Sequence, residues 1–358
     1  MLYREAGQFK TSYAKDQAVF PILQDRIGII IILAVAYVLI PLYNNDFLIN
    51  AIITPFLIFT LAAIGLNILT GYTGLLSLGT GAFMGVGAYA CYKLTTYFPN
   101  VNIIVWIIAS GFASAAVGAI FGLPAVRIKG FYLAIATLAA QFFLEWCFTH
   151  IPWLYNYNVS AAIEVPQREL FGVIVTGPRA TAVTRYYIVL TILVAMTWVA
   201  SNVVRGRIGR MWMAVRDMDI AAELMGIRLL PTKLLAFAMS SFYCGVAGAM
   251  LVFLWYGSAE STVFSINQSF FVLFMIIIGG LGSLLGCYMG AALIYVLPII
   301  LKFVPPIFGI PLQAATVEHI TFLVVGALIV FFLIAEPAGL ARLWQVGKQK
   351  LRVWPFPY

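Results

Sequence analysis

The sequence predicts an all-α fold, a polytopic transmembrane helical bundle of about ten spans with both termini cytoplasmic. Three observations predict it. Of the 358 residues, 63% are hydrophobic and only 9% charged, with a mean hydropathy of +1.00; soluble domains carry an apolar share of roughly half. The apolar residues come in runs of about 20 without the alternation of a lipid-facing strand, which suits helices and not a barrel. The basic residues also segregate to alternate connections, as the positive-inside rule requires.

In chain order, residues 1–26 scatter Arg4, Lys10, Lys15 and Arg26 through polar sequence and lack the short apolar core and cleavage site of a secretory signal. They read as a cytoplasmic tail. Spans are then expected near 27–43, 47–70, 80–98, 101–124, 131–150, 185–204, 233–257, 268–285, 287–304 and 316–335, where apolar runs are broken by Gly, Pro, Asn and charge. The membrane domain is therefore 27–335, followed by a cytoplasmic tail over 336–358. On this topology the inner side collects the four basic residues of the first tail, Arg127, Lys129, those of the 205–233 island, and Arg342, Lys348, Lys350 and Arg352. The outer side keeps only Lys93, Arg168, Arg179, Arg185 and Lys302.

The two largest non-membrane segments fall on opposite sides. Outside, 151–184 contains Pro152, Pro166 and Pro178, and its stretch EVPQRELFGVIV (Glu164 to Val175) reads as a short hairpin or lid over a cavity, or as a plain connecting loop. Inside, the segment 205–232 and the adjoining Lys233 form a polar island. It sets Arg205, Arg207, Arg210, Arg216, Arg228 and Lys233 against Asp217, Asp219 and Glu223. Read at helical spacing, Ala214, Met218, Ala221, Ala222 and Met225 share a face, while Arg216, Asp219 and Glu223 are spaced for contacts one turn apart. Gly226 suits a C-terminal cap. One short amphipathic helix, built to dock onto something soluble, is the expectation.

Two glycine-rich turns interrupt the apolar sequence: GYTGLLSLG (Gly71, Tyr72, Gly74, Ser77, Gly79) and GGLGSLLG (Gly279, Gly280, Gly282, Ser283, Gly286). Irregular backbone within lipid survives only where protein or a water-filled path satisfies its amides. These turns are expected either to lie against a translocation path or to sit in tight helix junctions. The second reading is supported by small-residue spacings at Gly81/Gly85, Gly118/Gly122, Gly282/Gly286 and Gly286/Gly290.

Enzyme chemistry finds little to work with. His150 and His319 stand near outer span ends without the companions of a metal site, and Cys91, Cys147, Cys244 and Cys287 lie in apolar spans without Cys-x-x-Cys spacing. The run GGLGSLLG lacks the Lys-Ser/Thr ending of a phosphate loop and lies between hydrophobic spans. No metal, cofactor or nucleic-acid partner is expected. Glu145, Lys302, Glu318 and Glu336 all fall near span ends, so no charge sits at mid-depth to couple an ion gradient. Energy is expected to enter from another subunit, through the island. A stand-alone ion-coupled secondary transporter is the alternative, and an integral-membrane lipid transferase would need a catalytic cluster that the sequence does not offer.

Over nearly its whole length the chain resembles the membrane permeases of ATP-binding-cassette importers for branched-chain amino acids, of the LivM type. The motifs that carry the resemblance are NILTGYTGLLSLG (Asn67 to Gly79), VRDMDIAAELMGI (Val215 to Ile227), TKLLAFAMSSFYCGVAGAM (Thr232 to Met250), MIIIGGLGSLLG (Met275 to Gly286), and the tail EPAGLARLW with WPFPY. The resemblance implies that Arg216, Asp219, Ala221, Ala222, Glu223 and Gly226 belong to a coupling element seated in a groove of an ATPase subunit. It implies as partners a homologous, LivH-like second permease, two ABC ATPase subunits and a periplasmic substrate-binding protein, around a multi-pass protein of the bacterial inner membrane. Thr80 and Gly81 stand where many relatives have histidine and alanine, and NVSAAIEVP (Asn158 to Pro166) replaces a glycine-rich run. The implied solute is therefore a branched-chain amino acid by default, with urea, short amides and aromatic acids as alternatives.

Overall fold

Apolar runs become helices in the order the sequence sets them. The computed structural model describes residues 11–12, 23–43, 45–126, 131–158, 160, 162–170, 172–177, 179–307, 314–336 and 338–353. The first helix, α1 (Leu23–Ala34), continues through Val35–Leu39 to Ile40–Tyr43. Next come α2 (Thr54–Asn67), flanked by widened π-helical turns Leu48–Ile53 and Ile68–Tyr72, then α3 (Thr80–Tyr97), α4 (Ile103–Val126) and α5 (Phe131–His150). After an outer connection follow α6 (Ala182–Arg205), the short α7 (Arg207–Asp217) and α8 (Asp219–Leu224), and α9 (Leu229–Met250), which widens into Leu251–Tyr256. The chain ends with α10 (Ile266–Gly279), α11 (Leu284–Ile307), α12 (Ala314–Ala335) and α13 (Gly339–Val353).

Each expected span coincides with a helix. Among the described residues, eight helices are long and apolar enough to cross a membrane. They leave out α3, whose hydropathy is diluted by glycines, tyrosines and Lys93, and α12, in which Phe322–Phe332 forms a shorter apolar stretch. Most of the expected tail over 1–26 lies outside the described residues, as do Arg127, Lys129 and the closing WPFPY. The second tail differs from a plain tail in forming α13.

At the centre, α9 packs against α4, α3 and α2. With lipid outside, burial of apolar surface does not by itself draw helices together, so close backbone approach has to do it. Glycine permits that approach. A side-chain carbon at Gly87 would overlap the backbone of Gly245, and one at Gly248 would overlap that of Met84. The expected small-residue pairs serve the same end: Gly118 and Gly122 admit Ser241 and Phe237 of α9, Gly286 and Gly290 admit the α10 backbone, and Gly81 and Gly85 face Ser265 and Phe148.

The bundle has two dissimilar ends. At one, β1 (Ile163–Glu164) pairs antiparallel with β4 (Ser258–Ala259), and β2 (Glu169–Leu170) with β3 (Val173–Ile174). Of the two readings of EVPQRELFGVIV, hairpin and plain loop, the second pair is the hairpin. Arg168 pins it to the end of α3, donating to the carbonyls of Thr95 (2.5 Å) and Pro99. Between hairpin and Pro99–Ile103 lies an open groove of about 330 Å³. The opposite end carries α7, α8 and both glycine turns.

Candidate functional site: a docking segment latched to two glycine turns

The island folds as two helices, not one. Met218 is extended (φ −160°, ψ 100°) and breaks the run between α7 and α8. Asp219 then falls in the first turn of α8, where a carboxylate meets the positive end of the helix. Gly226 terminates α8 as expected: at φ +86° its N–H reaches the carbonyl of Glu223 (2.9 Å), while the N–H of Ile227 reaches that of Ala222 (3.0 Å), a Schellman pair.

Both helices are fastened to α9. Trp212 is fully buried and its indole N–H donates to the Thr232 carbonyl (3.0 Å); Val215 and Ala222 are buried beside it. Lys233 lies 3.8 Å from Asp219. Large apolar side chains face outward among the exposed charges: Leu224 is 85% exposed, Met225 71%, Met218 66% and Ile220 62%. The expected face of Ala214, Met218, Ala221, Ala222 and Met225 is thus split. Its alanines turn partly or wholly inward and its methionines outward, Met218 at the break between the helices and Met225 at the C-terminal cap of α8. Glu223 is exposed beside Leu224. Open apolar side chains rimmed by charge are what a protein interface uses.

Arg216 joins this segment to the membrane region. Its Nη1 donates to the Gly71 carbonyl (3.1 Å), and its Nε and Nη2 donate to Asp217 (3.0 and 2.9 Å). The Arg216 side chain also covers Gly74 and reaches Gly282. Asn67, wholly buried, holds the two turns together: Nδ2 donates to the Ser283 carbonyl (3.0 Å) and to Cys287 Sγ (3.2 Å), while Oδ1 accepts from the N–H of Gly282 (2.9 Å). Side-chain carbon at Gly71 would collide with both Asn67 and Gly282. Gly282 itself sits at φ +77°, where only glycine is free of strain.

Not every predicted residue converges here. Gly71, Gly74, Gly282, Ser283 and Arg216 do, and Tyr72 is buried alongside. Gly279 and Gly286 close the α10–α11 contact instead, and Gly280 lies against Ala338 and Ala341 at the root of α13. Ser77 and Gly79 lead away to a second polar cluster that sequence reasoning missed. There Gln141 accepts from the N–H of Ala82 (2.7 Å) and donates to Phe264 O (2.7 Å), Ser269 accepts from the N–H of Gly81 (2.8 Å), and Thr137 accepts from that of Leu78 (3.0 Å). These side chains cap the start of α3 inside the bundle. Asn67 and Trp212 were also missed as anchors, although both lie in or beside quoted motifs. His150 stacks on Trp146 (4.7 Å) and bonds locally, and Cys91, Cys244 and Cys287 are buried free thiols. Among the described residues no group of three or more His, Cys, Asp or Glu could hold a metal ion.

A polytopic helical membrane protein with a projecting segment that leaves apolar side chains exposed is the class these features define. The family described as "Branched-chain amino acid transport system / permease component" matches residues 48–333, and the chain belongs to it. The high-affinity branched-chain amino acid transport system permease protein LivM of Salmonella typhimurium is 27% identical over 312 residues, 81% of this chain and 69% of that protein. The Escherichia coli protein of the same name gives the same figures. A probable branched-chain amino acid transport permease protein LivM of Methanocaldococcus jannaschii is 24% identical over 333 residues, covering 82% of this chain and 93% of its own length. No solved structure matches.

Proposed function

We propose that this chain is the membrane permease subunit of an ATP-binding-cassette importer, forming half of the translocation path for branched-chain amino acids or a related small polar or carboxylate solute. The solute is delivered by a periplasmic binding protein, the chain spans the bacterial inner membrane several times, and a LivH-like permease and two ATPases complete the assembly. Family membership and the LivM relatives support the permease role.

One observation carries the coupling: the bond from Arg216 to the Gly71 carbonyl, between an exposed apolar segment and a turn inside the bundle. An ATPase gripping Leu224 and Met225 would move α7 and α8 as one body, since Trp212 and Lys233 fasten them to α9. That movement reaches Gly71 through Arg216, and Gly282 through Asn67, so that α2 and the α10–α11 turn shift together. Such a linkage suits alternating access, in which ATP binding biases one of two packed arrangements. The side chain Glu223 and the cap at Gly226 shape the docking surface. The glycine turns act as hinges near the path.

The test is uptake into proteoliposomes holding this chain and its partner permease, with and without the ATPases and the binding protein. Uptake should require the ATPases and ATP. Uptake driven by an ion gradient with this chain alone would overturn the reading.

A further inference from the structure

The proposed transport cycle makes no use of α13. Its sequence GLARLWQVGKQKLRV contains basic residues and no acidic one. On a helix of about 3.6 residues per turn, Leu343 and Trp344 bound an arc about 100° wide with Lys350 just beyond one edge, while Leu340, on the same arc, packs against the bundle at the root of α13. Leu343 is 47% exposed and Trp344 58%, and Arg342 and Lys350 are also exposed.

The root of α13 fixes its depth. Gly339, at φ +68°, packs on the backbone of Gly280, and Ala341 meets the same glycine. Gly280 belongs to the turn between two spans, α10 and α11, so α13 leaves the bundle at the level where membrane gives way to water. A helix at that depth with leucine and tryptophan on one arc and Lys350 at its edge suits the interface plane, where the indole ring would sit among acyl chains and the ammonium group at the headgroups. The absence of any carboxylate on α13 selects the sign of those headgroups.

We infer that α13 binds anionic lipid headgroups, and that this contact bears on the Gly280–Gly282 turn to which Asn67 is bonded. The inference rests on the chain being a membrane permease, but not on its solute or its ATPases.

Amide hydrogen exchange over 340–353, measured on the full chain in nanodiscs of phosphatidylcholine alone or with phosphatidylglycerol, tests it without any transport. Protection should rise when phosphatidylglycerol is present and fall again as salt screens the charges. Lys350→Gln, at the edge of the apolar arc, should lower that lipid-dependent gain about fivefold, the equivalent of about 1 kcal/mol for one basic residue at an anionic surface, whereas Arg342→Gln, on the opposite face of the helix, should change it much less. Gln345→Lys, on the same far face as Arg342, should likewise change it little, so the result does not hang on total charge or on variants that lose structure. Equal protection in both lipids, unmoved by charge, would overturn the inference. So would protection that appears in phosphatidylcholine only when ATPase subunits are added, which would assign the surface to a protein.

Discussion

The α3–α9 contact and the α7–α8 segment use small and apolar residues in opposite ways. In the first, Gly87, Gly245 and Gly248 bring two backbones together and nothing is left open. In the second, Trp212 and Ala222 anchor the segment while Leu224, Met225, Met218 and Ile220 remain exposed at its tip. The difference teaches which part is finished in this chain and which awaits a second surface. A region closed upon itself should respond to substitution through stability. A region with its apolar side chains outward should respond through partnership.

The sharpest way to break that contrast is Gly87→Leu. The added carbons meet the Gly245 backbone, which cannot rotate away as a side chain can. The expected cost is more than about 3 kcal/mol, read as loss of monodisperse protein in detergent or a large fall in melting temperature. A stable Gly87→Leu protein would show that α3 and α9 are not in backbone contact.

Asn67→Ala comes next, because it leaves the Gly282 N–H and the Ser283 carbonyl without their partner in a part-buried junction. About 2 kcal/mol of stability should be lost. Ion-gradient or detergent conditions should not restore it, whereas Asn67→Gln, which keeps the amide on a longer stem, should recover part. Thermal denaturation of the purified chain measures both.

How much of this was legible beforehand follows from the range of the interactions involved. Helix positions and the Gly226 cap depend on residues close in sequence and were readable from composition and spacing, whereas the sequence left 164–175 open between a hairpin and a plain loop. The adjacency of the two glycine turns was not, because Asn67 and Gly282 are 215 positions apart. Nor was the break at Met218 legible, since helix spacing runs on unbroken through 213–225, while the tethers of Trp212 to Thr232, Arg216 to Gly71 and Asp219 to Lys233 join residues distant in sequence. The polar cluster of Gln141, Ser269 and Thr137 escaped for a related reason. Isolated neutral side chains in apolar spans carry no local pattern, and their role appears only when the start of α3 is placed among them.

Leu224→Asp turns from stability to partnership. With Leu224 so exposed, melting of the isolated chain should stay within about 0.5 kcal/mol of the parent. Affinity for the proposed ATPase subunit should fall about tenfold or more, measured by titration in detergent, if Leu224 lies in the apolar centre of that interface. Loss of stability with binding unchanged would reverse the roles of the two regions.

The smallest effect separates two glycines that a sequence alone treats alike. Gly87 is glycine for want of space, with an ordinary helical backbone; Gly226 has nothing within 4 Å of an added side-chain carbon, yet its φ is +86°. Alanine at Gly226 should therefore cost about 1 kcal/mol through backbone strain alone, felt as fraying of α8 and slower ATP-driven uptake while the bundle melts as before. Asparagine tolerates the left-handed region better than alanine does, so Gly226→Asn should restore much of the uptake. At Gly87 the order is reversed, because asparagine is the larger intruder. Parallel melting and uptake measurements on the four variants distinguish a constraint of volume from one of conformation. If Gly226→Asn proved no better than Gly226→Ala, the docking surface itself, and not the cap, would be what glycine protects there.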